Sequence, residues 1–149
     1  EPFAVLLADD FITYEGSGVI ADLVRSFEKS GKTQLSVMEV NGPDISKYGV
    51  VLPGSEPGAV SGLVEKPDLD KVPSNLASIG RYVLTPDIFD IIRNQPVGSD
   101  EEIQLADAIH EQAAGNMVEA VILNGHRFDC GGVKGYLDAI IHVANYIEK

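Results

Sequence analysis

The feature of this 149-residue chain that most limits its fold is an apolar run that ends in two acidic residues. Residues 3–8 read FAVLLA without a polar interruption, and Asp9 and Asp10 follow directly. An apolar run without alternation is typical of a strand buried on both faces, as in parallel sheets covered by helices. Ligands of open α/β sheets bind beyond the carboxyl ends of such strands, so the run predicts an α/β fold with Asp9 directed toward a ligand. Taken alone, the pattern favours two aspartates that only end a strand and begin a turn.

Helical and strand-like patterns alternate along the rest of the chain. Residues 19–30 place apolar side chains on one helical face before Gly31, a residue suited to a helix C-terminus. The pattern predicts strands at 33–40, 77–84 and 117–123, a hairpin of 48–52 with 60–64, and helices at 86–93, after the acidic residues 99–102, and at 136–147. In the last of these helices we expect Leu137, Ile140, Ile141 and Ala144 to face inward, and in the one before it Ile103, Leu105, Ala106 and Ile109.

Composition narrows the classes of partner. The formal net charge is −12 and the sequence pI is about 4.4, so the chain repels phosphate backbones and anionic lipids, and neither nucleic acid nor a membrane is expected as a partner. Cys130 is the single cysteine, which excludes an internal disulfide and favours a reducing, cytoplasmic location. A phosphate substrate would need local neutralisation by a cation and a few basic residues.

Four further positions suggest a site. Asp129, in the segment FDCGG at residues 128–132, offers a second strand-end carboxylate that could share a hard cation with Asp9. Lys66 follows a buried-strand pattern and suits a phosphate, although spacing alone favours a surface ion pair with Glu65 or Asp68. Glu65 could accept two sugar hydroxyls, and Gly49 would let a ligand approach the backbone, or only serve a bend.

Seven segments in a fixed order resemble the bacterial UTP-glucose-1-phosphate uridylyltransferases, within the family of sugar-1-phosphate nucleotidylyltransferases. These segments are PFAVLLADD at residues 2–10, YGVV at 48–51, VEKP at 64–67, PSNLA at 73–77, GRYVL at 80–84, DEEIQLADAI at 100–109 and FDCG at 128–131. The resemblance implies a three-layer, Rossmann-like nucleotide-diphospho-sugar transferase fold with a mixed, mostly parallel sheet, present here as its later half. It implies transfer of a uridylyl group from UTP to glucose 1-phosphate, giving UDP-glucose and pyrophosphate with Mg²⁺ as cofactor.

The same resemblance assigns roles to individual residues. Asp9 and Asp129 correspond to metal ligands, and Lys66 to the contact with the sugar phosphate, so that Asp9 and Lys66 form the catalytic pair. Glu65 corresponds to the acceptor of sugar hydroxyls and Gly49 to a backbone contact with the sugar. Asp10 and Asn75 are further expected substrate contacts.

The resemblance also sets the expected extent of the site. Residues 1–149 would form the sugar-phosphate-binding and metal-binding part of a nucleotidyltransferase domain. In this family an upstream segment carries the glycine-rich loop that binds the nucleoside triphosphate, and nothing in this chain corresponds to it. We therefore expect the chain to be inactive by itself, and the resemblance suggests a homo-oligomer.

Three alternatives remain open from the residues. A signalling receiver domain also has paired acids after its first strand, but here the strand that ends near Val40 lacks the acceptor aspartate. A non-catalytic assembly domain would make the acidic residues solvated surface. A glycosyltransferase would require an Asp-x-Asp pattern, which this strand end does not show.

Overall fold

The computed structural model describes residues 1–14, 16–96 and 103–147, which form eight strands and four α-helices. The strands are β1 Phe3–Leu6, β2 Asp10–Tyr14, β3 Thr33–Glu39, β4 Gly49–Pro53, β5 Val60–Glu65, β6 Leu76–Leu84, β7 Val118–Ile122 and β8 Gly125–Asp129. The helices are α1 Val19–Ser30, α2 Ile88–Asn94, α3 Leu105–Ala114 and α4 Val133–Ile147, and two short 3-10 helices span Pro43–Lys47 and Leu69–Lys71.

Six strands form one mixed sheet in the order β5-β4-β6-β3-β7, with β1 also paired to β6. The α/β fold with a mixed sheet is confirmed, but the expectation of a mostly parallel sheet is wrong for the described strands. Only β3 and β7 pair in parallel there, and the other four pairings are antiparallel. The hairpin β4–β5 and the long central strand β6, which runs against all three of its partners, account for this difference.

The outer edge of β6 changes partner along its length. Its first half pairs with β4 through Ala77 and Val50, and its second half pairs with β1 from Arg81 to Leu84. Both partners run antiparallel to β6, so the end of β1 meets the start of β4 on the same edge. A cleft opens where β1 leaves the sheet and β4 enters it.

Helices cover the two faces of the central strand β3. Leu35 and Val37 belong to one core cluster with Ile109 of α3, whereas Leu23 of α1 is fully buried outside that cluster. The alternate residues of β3 are also buried, which requires cover on the other face, and α1 packs there against β3 and β6. This arrangement gives the three layers that were predicted.

Two local expectations are wrong. The first strand is not buried on both faces, because its residues alternate between half-buried and exposed and it pairs with β6 alone among the described strands. Leu137, Ile140 and Ile141 do not face inward: all three are about half exposed, and Ala139 is the buried residue of α4. Helical spacing identifies an apolar face but does not specify which element covers it.

Two helix starts also shift. The helix predicted from residue 86 begins at Ile88, and Ile103 precedes α3 and is exposed. The acidic helix start predicted at residues 99–102 lies outside the described residues. Among the helices of the described ranges, none has both the length and the apolar composition that a bilayer crossing requires.

Candidate functional site

The predicted site residues lie mostly around the cleft beside β6. Asp9 follows β1, Gly49 opens β4, Glu65 closes β5 with Lys66 directly after it, and Asp129 closes β8. Strands β2 and β8 form a separate antiparallel ribbon in which Asp10 pairs with Asp129. The ribbon brings the two ends of the chain together at the mouth of the cleft.

Asp9 and Asp129 converge on Gly131. Asp9 Oδ2 and Asp129 Oδ1 each lie 3.2 Å from the position that a Cβ atom on Gly131 would occupy, so the two oxygens are at most twice that distance apart. Two backbone amides fix the loop: the Cys130 amide donates to the Asp9 carbonyl at 2.7 Å, and the Gly131 amide donates to the side-chain Oδ1 of Asp129 at 3.1 Å. Both side chains are exposed, so a small rotation brings them to the separation of roughly 3–4 Å that one ion with bonds of about 2.1 Å requires.

The donor set suits a hard cation with an open coordination shell. Within the described ranges, no group of three or more His, Cys, Asp or Glu side chains is arranged to hold a metal ion. Two carboxylates from Asp9 and Asp129 are nevertheless the usual protein contribution to Mg²⁺, whose remaining ligands are water and substrate phosphate. The residues present therefore fit the cation that the resemblance implies.

Asp10 faces the interior. Its carboxylate accepts hydrogen bonds from the Gly80 amide at 2.6 Å and from Arg127 Nε at 2.5 Å, and its side chain is buried. A Cβ atom on Gly80 would lie 2.7 Å from Asp10 Oδ2 and 2.6 Å from Leu7 Cβ, so only glycine permits this approach. In this arrangement Asp10 holds the framework of the cleft, and its predicted substrate contact stays a prediction.

Arg127 connects the two sides of the cleft and was missed by the sequence reasoning. Its guanidinium forms the ion pair with Asp10 and lies 3.7 Å from Asp129 Oδ2. It also donates to the Tyr48 hydroxyl at 3.1 Å and sits 5.3 Å from the centre of that ring. The available signal was its place two residues before Asp129 on one strand, which puts both side chains on the same face.

The opposite rim is formed by Gly49, Glu65 and Lys66. Gly49 pairs with Glu65 across the hairpin, and a Cβ atom on Gly49 would lie 3.0 Å from Glu65 Oε2, so the missing side chain leaves room for the carboxylate. Lys66 has a φ of 42°, and its amide donates to the Tyr48 carbonyl at 3.0 Å. The Lys66 ammonium is 3.8 Å from Glu65 Oε1 and its side chain is 68% exposed, so this ion pair is weak and the ammonium is accessible to a ligand.

A cavity of about 200 Å³ lies beside Gly49 and Glu65. Leu7, Gly49, Glu65 and Tyr82 line it together with residues of α3. Burial raises the pKa of the Tyr82 phenol, and the negative charges of Asp10 and Glu65 raise it further. The phenol is therefore a neutral hydrogen-bonding group beside a cleft rich in carboxylates.

Asn75 is the one predicted site residue that the structure does not bring to this cleft. It directly precedes β6, two residues before Ala77 and on the side away from Gly49, and its side-chain amide donates to Asn41 Oδ1 at 3.5 Å. Its predicted substrate contact stays a prediction.

Comparison with known proteins identifies the family of this arrangement. The model of the nucleotidyl transferase family matches residues 1–145. The chain belongs to this family. This membership excludes a signalling receiver domain, which is not a nucleotidyl transferase.

Individual relatives agree with this assignment. A UTP-glucose-1-phosphate uridylyltransferase of Pseudomonas aeruginosa is 47% identical over 144 residues, covering 93% of this chain and 51% of the relative. The crystal structure of an apo UDP-glucose pyrophosphorylase is similar with a TM-score of 0.90 at 39% identity, over 98% of this chain and 55% of that chain. A UDP-glucose pyrophosphorylase complexed with UDP-glucose gives a TM-score of 0.88 at 38% identity, over 100% of this chain and 57% of that chain. The chain thus spans about half the length of the relatives it matches.

Proposed function

We propose that this chain supplies the sugar-phosphate and metal side of a UTP-glucose-1-phosphate uridylyltransferase. In the reaction, a phosphate oxygen of glucose 1-phosphate attacks the α-phosphorus of UTP, and the bond from that phosphorus to the departing pyrophosphate breaks to leave UDP-glucose. The observation that carries the proposal is the convergence of Asp9 and Asp129 at Gly131, across the cleft from Gly49, Glu65 and Lys66. Relatives that match nearly the whole chain and bear this activity in their names support it.

This transfer reaction requires the protein mainly to position the two substrates and to neutralise the negative charge of their phosphates. Asp9 and Asp129 would hold Mg²⁺, which when bound neutralises phosphate charge. Lys66, accessible at the cleft, would contact the phosphate of glucose 1-phosphate, and Glu65 would accept hydrogen bonds from two sugar hydroxyls. The attacking phosphate oxygen is already anionic, so none of these residues has to act as a general base.

The proposal extends to the whole protein. The triphosphate-binding loop would lie in a part of the enzyme outside these 149 residues, consistent with relatives about twice as long. A cytoplasmic location is supported by a lone cysteine that allows no internal disulfide. Self-association rests on the family resemblance alone, and sedimentation of the complete enzyme tests it.

Substitution of Lys66 tests the assigned roles in the complete enzyme that contains this chain. A charge-assisted hydrogen bond to phosphate contributes about 1.5–3 kcal/mol, so Lys66→Ala should raise the KM for glucose 1-phosphate by roughly 10- to 100-fold and leave the KM for UTP nearly unchanged. Initial rates of pyrophosphate release with each substrate varied in turn provide the measurement. Lys71→Ala is the matched control, because Lys71 is 69% exposed and, within the part of the chain that the structure describes, its ion pair is with Asp68 on the surface. Equal effects of Lys66→Ala on both KM values would contradict the role of Lys66.

A further inference from the structure

Three carboxylates lie together at one end of the β2–β8 ribbon, beside the cleft. Asp9, Asp10 and Asp129 lie on two adjoining segments, and Asp10 is directly opposite Asp129 in the β2–β8 register. Any two of them have the chemistry to share a divalent ion. Some other group must therefore determine which two carboxylates face the cleft.

Arg127 is placed to make that selection. Its side chain is only 10% exposed, and it contacts Asp10 through both Nε and Nη2 while lying 3.7 Å from Asp129. The same guanidinium donates to the Tyr48 hydroxyl, one residue before Gly49. The buried guanidinium of Arg127 therefore links the β2–β8 ribbon, which carries the acids, to the rim that carries the proposed sugar-binding residues.

We infer that Arg127 is a positioning residue with two effects on this site. It commits Asp10 to the interior, so that Asp9 and Asp129 alone are available to a divalent cation, and it fixes the acidic ribbon relative to the Tyr48–Gly49 rim. This inference rests on the proposed function for its effect on turnover, whereas its effect on cation binding is independent of the substrate.

If Arg127 acts on the site through its charge, its removal should change the affinity for divalent cations in a direction that a merely structural role would not produce. The three aspartates and Arg127 together carry two net negative charges. Arg127→Met removes a positive charge and releases Asp10, so divalent cations should bind more tightly while catalysis becomes worse. The double variant Asp10→Asn/Arg127→Met restores the net charge, so its affinity for cations should return toward that of the wild type.

The experiment measures Mn²⁺ binding by electron paramagnetic resonance in the complete enzyme without substrates, followed by steady-state kinetics. We expect Arg127→Met to tighten Mn²⁺ binding about 3- to 10-fold, as for one unit charge several ångströms away in a solvated cleft. The double variant should bind Mn²⁺ within about 2-fold of the wild type but keep a low kcat, because the link to Tyr48 is lost. Arg127→Lys should keep the wild-type Mn²⁺ affinity and raise the KM for glucose 1-phosphate, since lysine cannot reproduce the forked contact.

The Lys and double variants are decisive, because Arg127→Met leaves a buried carboxylate without its partner. Arg93→Met is the control, since Arg93 is an exposed residue of α2 whose ion pair within the described ranges is with Asp90. The inference is overturned if the double variant loses Mn²⁺ affinity, or if Arg127→Lys matches the wild type in both KM and kcat. A wild-type enzyme that binds Mn²⁺ but releases no pyrophosphate would instead refute the proposed function and leave the binding test intact.

Discussion

Gly131 offers the sharpest perturbation of the metal side of the site. Its amide already donates to Asp129, and a methyl group added at its Cα would lie 3.2 Å from one oxygen of Asp9 and one of Asp129. Ordinary van der Waals contact begins at about 3.4 Å, so both carboxylates would have to retreat by a few tenths of an ångström. Gly131→Ala therefore moves both carboxylates that we propose as metal ligands, without altering either of them.

The expected size of the effect of Gly131→Ala on Mg²⁺ binding follows from the strict coordination geometry of Mg²⁺. Mg²⁺ demands near-ideal octahedral geometry at 2.0–2.1 Å, and displacing groups that orient metal ligands typically costs 10- to 100-fold in affinity or activity. We expect the half-saturating Mg²⁺ concentration to rise by about that factor, equivalent to roughly 1.4–2.7 kcal/mol. Stability should change by less than about 0.5 kcal/mol, because both carboxylates are exposed and free to shift toward solvent.

The neighbouring glycine supplies the control for this experiment. A Cβ atom on Gly132 would meet nothing within 4 Å, so Gly132→Ala makes the same chemical change one residue away without touching the acids. Pyrophosphate release by the complete enzyme is titrated with Mg²⁺ for the wild type and both variants, and urea unfolding reports stability. Only Gly131→Ala should shift the Mg²⁺ titration.

Two results would refute the reasoning. If Gly131→Ala titrates with Mg²⁺ like the wild type, the space beside Asp9 and Asp129 is not where the cation binds. If both alanine variants lose activity equally, the loop after β8 matters for its flexibility rather than for the approach of two ligands.

The remaining predictions concern the buried acid, the exposed acid, the neutral phenol and the chain by itself. Asp10→Asn should lower the free energy of unfolding by about 3–5 kcal/mol, because it breaks a buried ion pair. Asp129→Asn changes a side chain that is 59% exposed, so it should lower the free energy of unfolding by less than about 0.5 kcal/mol yet abolish activity. Urea titrations and rate assays that rank the two variants the other way would be incompatible with their burial. The raised pKa of Tyr82 contributes stability that is fully present below the pKa of about 10 in the unfolded chain and is lost as pH rises through the pKa in the folded chain. The stability advantage of the wild type over Tyr82→Phe should therefore shrink above pH ~10, and a constant difference from pH 8 to 11 would argue against a raised pKa. The isolated 149-residue chain should release no pyrophosphate from UTP and glucose 1-phosphate, and robust turnover would show that it contains a complete nucleotide site.

The sequence alone was sufficient for features that depend on neighbouring residues. The turn residues between two β-rich runs predicted the β4–β5 hairpin, and this hairpin by itself places Gly49 opposite Glu65. Gly31 ends α1 in the left-handed conformation that its position predicted. These features depend on backbone geometry within a few residues, and local patterns record such geometry directly.

Features that depend on distant contacts were not predictable. Asp9 and Asp10 are adjacent and chemically identical, yet one faces the cleft and the other is buried, because Gly80 and Arg127 lie 70 and 117 residues away from Asp10. The apolar face of α4 was predicted as inward for a related reason. Periodicity describes a helix but not its neighbours.

The two aspartates show why family motifs mark this site better than local chemistry does. The end of β1 approaches β6 so closely at Gly80 that no side chain fits there, and the Gly80 amide then binds the carboxylate of Asp10. That bond fixes the direction in which the chain turns, and the turn presents Asp9 to Asp129 across Gly131. Gly80, Arg127 and Gly131 therefore determine which acid faces the cleft, where we propose that a cation binds, although none of the three carries a group that would bind it. A search for acidic residues alone finds Asp9 and Asp10 equally, whereas the order of the surrounding segments distinguishes them.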